Sequence, residues 1–388
     1  MKEESSWMSS MNYHQVVKGS NYEMGCQQGQ MNAAKIVNWW NLICTDELSG
    51  NLRRVIWPIR LSSPFLRPSL TLYWKHYLRK YMPETLERIE GISQGAGCSV
   101  SEIFMQQFVE IIGAFPMHSS GCSSLWTSPQ YFEQNVPVLA KNFDYLPFLR
   151  KFQIIRESYP EKGYACLELT ETSMVGSHSG LNECGLTVIY HYAYAKDKIQ
   201  HGLPMSMLVQ YFLQTCSNVE EVLEKAARIP WIASGILMLG DAQGGCVIVE
   251  LSHSHLAKSR IDGTWAAITN HFTNPETMQY AMSSQATFPR FLPPPWRGTR
   301  IRENSEMRLH DLESFFQKRE KVALNDVKEV LADHGSSGKG ENGTVCRHSK
   351  ISSTICSIIF FPSSHRLLYC HGAPCAGKYD EFQLKNSR

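Results

Sequence analysis

The chain has 388 residues, 43% of them hydrophobic and 19% charged, with a formal net charge of +2 at neutral pH. That is enough chain for a large core, as one big α/β unit or as two domains. The balanced charge, with no dominating run of Lys or Arg, argues against nucleic acid as the main partner, and no apolar run of 18 residues predicts a membrane span.

The polar opening Met1-Lys2-Glu3-Glu4-Ser5-Ser6 leads into no apolar signal-peptide core, so a cytoplasmic location is expected. Asn32 to Leu48 mixes apolar and polar residues at roughly helical spacing. Between Arg53 and Lys80 seven basic residues alternate with Trp57, Phe65, Tyr73, Trp74 and Tyr77, a composition suited to a surface segment or an acyl or membrane surface. Pro58, Pro64 and Pro68 are expected to exclude a continuous amphipathic helix there. Pro83-Glu84 opens a helix through Leu86, Ile89 and Ile92, and Ser101-Glu102 opens another with Ile103, Phe104, Phe108 and Ile111 on one face.

From Cys122 the period changes to that of strands. Short β-like runs fall at 136–140, 164–170 and 186–190, and another precedes Thr269-Asn270. The runs 236–239 and 247–251 flank the turn Asp241-Ala242-Gln243-Gly244-Gly245, and 355–361 and 366–369 flank Pro362-Ser363-Ser364-His365, so two hairpins are predicted. Ser217 and Glu220 form a capping-box pattern ahead of Val222-Leu223, and Asn325-Asp326 opens a helix ending near His334-Gly335. Strands interleaved with helices predict an α+β architecture of stacked sheets under helical layers.

The 12 cysteines include no C-x-x-C pair, so a thiolate zinc site is not expected and the thiols read as reduced core residues. The sequon Asn342-Gly343-Thr344 matters only in a secreted chain, and Asn386-Ser387-Arg388 is not a peroxisomal signal of the Ser-Lys-Leu type.

Gly121-Cys122 stands at the start of the strand-rich half. A thiolate there can attack the preceding glycine carbonyl, and hydrolysis of the thioester leaves Cys122 as a new N-terminus. Its α-amine, with a pKa near ~8, then serves as general base to its own thiol. Gly121 suits the scissile position because no Cβ blocks the attack. Four further segments fit one cysteine-nucleophile site: Lys141-Asn142-Phe143-Asp144, Gly180 to Leu186 with Asn182, Thr269-Asn270-His271-Phe272, and Asn304 to Arg308. Each alone also reads as a turn, loop or strand end.

In this order the segments resemble the autoproteolytic N-terminal-nucleophile hydrolases related to acyl-coenzyme A:6-aminopenicillanic acid acyltransferase and, more distantly, the choloylglycine hydrolases. The resemblance extends to Gly19-x-x-Tyr22-Glu23-x-Gly25-x-x-x-Gly29, Glu90 to Gly97, Asp333-His334, Cys346-Arg347-His348 and Gly372-x-Pro374-Cys375. It implies an αββα sandwich with Cys122 as nucleophile, and a mostly helical chain 1–121 that stays associated with a catalytic chain 122–388 after self-cleavage. Asp144 is expected to hold the new amine or the nucleophile's backbone, Asn270 to donate to the oxyanion, and Arg308 to brace these groups. Asn142, Asn182 and His191 are expected to bind substrate or line the pocket, with His178 a further lining candidate. Lys141 stands where relatives carry arginine or a polar residue, and a point charge does not reproduce a bidentate fork.

The function implied is cysteine-dependent hydrolysis of a linear amide in a small N-acyl amine, with no metal, cofactor or nucleotide needed. A family member acting on β-alanyl-dopamine has a similar length and an internal Gly-Cys processing site, so an N-β-alanyl amine is an expected substrate. Acyl transfer from an acyl-coenzyme A-type donor to an amine, and an unprocessed binding protein, are the alternatives.

Overall fold

A computed structural model describes residues 13–39, 41–42, 53–113, 121–289, 297–349 and 352–385, with the backbone alone described over 53–64 and 108–113. The described chain forms two sheets. The eight-stranded sheet runs β1 (His14–Gly19), β4 (Gln153–Pro160), β5 (Cys166–Glu171), β6 (Ser179–Asn182), β7 (Thr187–Tyr192), β8 (Gly235–Gly240), β9 (Cys246–Leu251) and β10 (Leu256–Arg260). The six-stranded sheet runs β11 (Trp265–Ile268), β2 (Gly121–Thr127), β3 (Val138–Tyr145), β12 (Ser353–Phe361), β13 (Arg366–His371) and β14 (Tyr379–Gln383). Neighbours are antiparallel except β1 and β4, which pair in parallel.

The helices are α1 (Asn21–Val37), α2 (Arg53–Tyr81), α3 (Pro83–Ala96), α4 (Val100–Gly113), α5 (Met205–Thr215), α6 (Val219–Ala226), the single turn α7 (Pro275–Met278), α8 (Glu303–Gln317) and α9 (Leu324–Leu331). Three separate cores explain how they stack. One lies between the sheets, where Ile236 and Met238 of β8 meet Leu139, Phe143, Ile358 and Phe360. The second packs the other face of β8, Leu237 and Leu239, against α1–α6. The third packs Leu125, Ala140 and Ile359 against Leu312, Phe316, Val327 and Val330 of α8 and α9. A strand buried on both faces reads as a continuous apolar run, as Gly-Ile-Leu-Met-Leu-Gly does in β8. The result is the expected αββα sandwich.

The motif glycines of the N-terminal part prove to be packing residues. A Cβ at Gly25 or Gly29 would lie 2.2 or 2.4 Å from carbonyl oxygens of α3, and one at Gly91 or Gly95 would lie 2.1 Å from carbonyl oxygens of α1. The two helices therefore touch backbone to backbone.

Three local expectations need correction. The prolines do not interrupt α2, which runs unbroken from Arg53 to Tyr81. An interior proline costs about 3 kcal/mol, and tertiary packing offsets it: Trp74 and Leu78 are fully buried, with Trp74 against Phe104 of α4. The cap of α6 lies one residue later than the pattern suggested. Asn218 caps the Glu221 amide, while Glu221 binds back to Ser217. Finally, β3 continues through Tyr145, so Lys141 to Asp144 lie within the strand rather than after it.

Candidate active site

The register of β2 on β3 sets the site. Gly121 faces Asp144, Cys122 faces Phe143, and Ser124 faces Lys141. Pleating turns alternate residues to opposite faces. Cys122, Ser124, Lys141 and Phe143 therefore enter the layer between the sheets, while Ser123, Asn142 and Asp144 face α8 and α9.

Cys122 is buried, and its environment is strongly polar. Its backbone N–H donates to Asn270 Oδ1 at 2.7 Å, and its carbonyl accepts from Arg308 Nη1. Arg308, reaching in from α8, also donates to Ser123 Oγ at 3.1 Å and to Asn270 Oδ1 at 2.9 Å. Two donors on Oδ1 fix the orientation of the Asn270 amide, whose Nδ2 donates to the Tyr192 carbonyl at 2.8 Å. The backbone N–H of Asn270 is held in turn by Ser305 Oγ, one residue into the first turn of α8 from Asn304.

Asp144 Oδ1 accepts from Thr354 Oγ1 at 2.6 Å. Its Oδ2 has no hydrogen-bond partner and lies 3.6 Å from Arg347 Nη1. Burial raises the Asp144 carboxyl above its usual range against the pull of Arg347 and Arg308. These groups crowd Gly121: a Cβ there would lie 2.4 Å from Arg347 Nη1 and 3.0 Å from both Arg308 Nη2 and Asp144 Oδ2. Only glycine fits.

Burial also pushes the Cys122 thiol up, with the Lys141 cation and Arg308 drawing it down and the Asp144 carboxylate adding to the upward push. Lys141 crosses to the other sheet, donating to the Tyr190 carbonyl at 2.6 Å and to the His178 carbonyl and Ser179 Oγ at 3.3 Å. Burial lowers its own pKa. His191 links the sheets in the same layer. Its Nδ1 faces the Thr269 carbonyl at 2.8 Å, so that nitrogen carries the proton, and Nε2 accepts from Ser124 Oγ at 2.6 Å. Burial, then Lys141, holds His191 well below the ordinary histidine range, in its neutral form.

The sequence-derived residues thus divide. Cys122, Asn270, Arg308, Asp144 and Lys141 converge, and His191 of β7 joins them through Ser124, two residues along β2 from Cys122. His178 packs tilted against the Phe143 ring at 4.6 Å between centroids, at the edge of this group. Asn142 and Asn182 lie elsewhere. Asn142 donates to the Leu331 and Val345 carbonyls on the helical side. Asn182 donates to the Leu213 and Cys216 carbonyls at the end of α5 and accepts from the Cys184 and Leu186 amides, on the outer face of its sheet. The structure brings neither side chain to Cys122.

Arg347, Thr354, Ser124 and Tyr194 were given no role by sequence reasoning. Ser124 is polar at a core position of a buried strand, a legible signal. The Tyr194 hydroxyl is buried without a partner, and Arg347 and Arg308 act on its pKa, which burial holds well above the ordinary tyrosine value. Nothing local in the sequence marks it.

Among solved structures, the chain is similar to a Caenorhabditis elegans N-acylethanolamine-hydrolyzing acid amidase ortholog, at 12% identity and a TM-score of 0.44, over 62% of this chain and 93% of that one. It is also similar to a mutant form of the conjugated bile acid hydrolase of Clostridium perfringens (14%, TM-score 0.40, 68% and 97%) and to the penicillin V acylase of Agrobacterium tumefaciens (16%, 0.40, 69% and 87%). No curated protein sequence matches. The family model described as acyl-coenzyme A:6-aminopenicillanic acid acyl-transferase matches residues 131–376, a span that takes in Asp144, Asn270, Arg308 and Arg347 and begins just after Cys122. With well over half of its length matched, the chain belongs to the acyl-coenzyme A:6-aminopenicillanic acid acyl-transferase family.

Proposed function

We propose that the chain is an autoproteolytic thiol acyl-transfer enzyme. It cuts itself between Gly121 and Cys122, and the freed Cys122 then opens a linear amide of a small N-acyl amine through an acyl-thioester. The observation that carries this reading is the charge packed on Gly121. Cleavage there makes an ammonium on Cys122 and a carboxylate on Gly121. Asp144 Oδ2, ion-paired to Arg347 at 3.6 Å but without a hydrogen bond, suits the first, and Arg308 and Arg347 suit the second. Buried charges are costly unless paired; one carboxylate here faces two arginines, and cleavage would add a second carboxylate beside them and an ammonium beside Asp144.

In maturation the Cys122 sulfur attacks the Gly121 carbonyl carbon. The carbon–nitrogen bond breaks, and the departing nitrogen takes the thiol proton. Water opens the thioester, leaving the Gly121 carboxylate and a free thiol. In turnover the Cys122 amine takes the thiol proton, the sulfur adds to the substrate carbonyl, and the amine product leaves with that proton. Water, deprotonated by the same amine, then releases the acid.

Asp144 and Asn270 Oδ1 orient the amine, and Lys141 stabilises the thiolate. The second Nδ2 proton of Asn270, the first being held by the Tyr192 carbonyl, and the Tyr194 hydroxyl donate to the oxyanion. Asn142 and Asn182 take positioning roles, with His191 tying the sheets beside the acyl site. The segment before the cut stays bound because β1 pairs along its length with β4 and α1 packs on the same sheet.

The test is the intact mass of the purified chain. The wild type should yield one fragment ending at Gly121 and one beginning at Cys122, while Cys122→Ala stays whole. Cutting at that bond in Cys122→Ala would overturn intramolecular thiol attack. A full-length wild type inert towards amides supports a binding protein instead. For substrate, an N-β-alanyl amine such as β-alanyl-dopamine is the first to assay. The name of the matched family favours a second reading, transfer of the acyl group to an amine rather than to water. A competing amine acceptor in the assay separates the two.

A further inference from the structure

We propose that His334, Cys346, His348 and Cys375 bind one zinc ion in a closed structural site. The four come from three separate segments: the turn after α9, the loop before β12, and the loop between β13 and β14. Their ligand atoms all lie within 4.8 Å of one another. His348 Nε2 is 3.1 Å from His334 Nε2, 3.2 Å from Cys375 Sγ and 3.5 Å from Cys346 Sγ. Zn–N bonds of about 2.0–2.1 Å and Zn–S bonds of about 2.3 Å give a tetrahedron with edges of about 3.3–3.8 Å. The observed spacings bracket those edges, so small side-chain shifts complete the polyhedron.

The surroundings hold these side chains in place. The two imidazoles meet edge to face, at 81° between planes, so that both Nε2 atoms point to one spot rather than the rings stacking. Gly340, at φ +66°, makes room for them: a Cβ there would lie 2.3 Å from His348 Cδ2 and 3.2 Å from His334 Cδ2. Backbone hydrogen bonds from Cys346 to the Asp333 carbonyl and from His348 to the Gly340 carbonyl, both 2.8 Å, fix the loop in this course. Two imidazole nitrogens and two sulfurs with no carboxylate form a soft donor set that selects zinc over magnesium or calcium. Four protein ligands leave no open position, which makes the site structural rather than catalytic. The absence of a C-x-x-C pair, which argued against zinc, does not bear on a site assembled by the tertiary fold.

The metal would act on more than the C-terminal loops. Arg347 sits between two of the ligands, and its guanidinium reaches Asp144 and Gly121. Zinc would thus pin the backbone that aims this arginine.

The experiment uses the full chain, purified without metal-affinity resin or chelator. Elemental analysis should give about one zinc per chain. Exchange into cobalt chloride should produce thiolate-to-cobalt charge-transfer absorption and the visible bands of tetrahedral cobalt. Cys375→Ser and His334→Ala, at exposed and half-exposed side chains, should lose the zinc and those bands, and melt at lower temperature. If these variants do not fold, the wild-type cobalt spectrum and zinc content decide. A folded wild type that takes up neither zinc chloride nor cobalt chloride overturns the proposal, as does a Cys346–Cys375 disulfide in non-reducing peptide maps. Cys122→Ala should bind zinc like the wild type, so failure of the self-cleavage reading leaves this result standing.

Discussion

Each sheet carries one buried arginine cluster, and the two are built to opposite ends. In the eight-stranded sheet, Arg156 Nε and Nη2 both pair with Glu168 at 3.0 Å, and Ser158 and Ser177 donate to the same carboxylate. The remaining Arg156 donors bind Gln28 of α1 and the carbonyls of Met174 and Val175. Burial opposes ionisation of Glu168, but Arg156, Arg88 and Ser177 override it and hold the carboxyl at about 2. In the six-stranded sheet, Asp144 has two arginines nearby and leaves one oxygen without a hydrogen bond, and burial wins, raising its pKa. The Arg156–Glu168 pair, fully hydrogen-bonded beside an Arg88 that donates only through Nη2 to Ser158, reads as scaffold. Under the proposed cleavage, the Asp144 cluster is arranged for charges that appear on maturation, a form of electrostatic preorganisation.

The largest expected effect tests the scaffold half. Glu168→Gln breaks a buried, bidentate pair and should cost about 3–5 kcal/mol in denaturant unfolding, while the folded fraction still matures. Linkage gives the pH signature. The folded pKa of about 2 lies below the ordinary value of 4.5, so the stabilisation is full above that value and is lost as pH falls towards 2. The variant should lose this acid limb. If folded Glu168→Gln protein fails to mature, the contrast between the clusters is wrong.

Asn270→Ala should lower turnover by about 10²–10³-fold if its side chain is an oxyanion donor, with the two-chain form still made. A mature variant with unchanged kcat would leave the oxyanion to Tyr194 and backbone amides. Asp144→Asn should slow both maturation and turnover, by about 10²-fold if it orients the nucleophile. Its effect on stability should be small or favourable, because a carboxyl with a raised pKa is one whose ionised form the fold disfavours. A stability loss as large as that of Glu168→Gln, with normal processing, would make the two clusters alike.

The smallest expected effects fall on the histidines. With the Cys122 amine as base, His178→Gln, His191→Gln and His271→Gln should each retain turnover in processed protein, and activity should fall at low pH as the amine protonates. His271 is held at about 4 by burial, Arg302 and Arg308, so it stays neutral across that range. Loss of turnover in any one of the three, with Cys122 still labelled by a thiol probe, would assign the base to an imidazole.

Much of this was legible in the chain itself. The helices at Pro83 and Ser101, both hairpins and the αββα class follow from periodicity, turn residues and motif order, because these are local or evenly spaced signals. The proposal that Gly121-Cys122 is a cleavage junction could be made from the chain alone because that chemistry needs two adjacent residues. The partners are another matter. Asn142 carried a motif yet faces α9, and Asn182 carried one yet caps the loop at α5, because a single step along a strand exchanges the two faces of a sheet. Arg347 reaches Gly121 across more than two hundred residues of sequence, and four zinc-type ligands meet from three loops. Local pattern determined which elements form and where the proposed scissile bond lies. Which charges surround that bond was decided only when two sheets and their helical layers closed, since burial and distance are properties of the packed molecule and no stretch of sequence carries them.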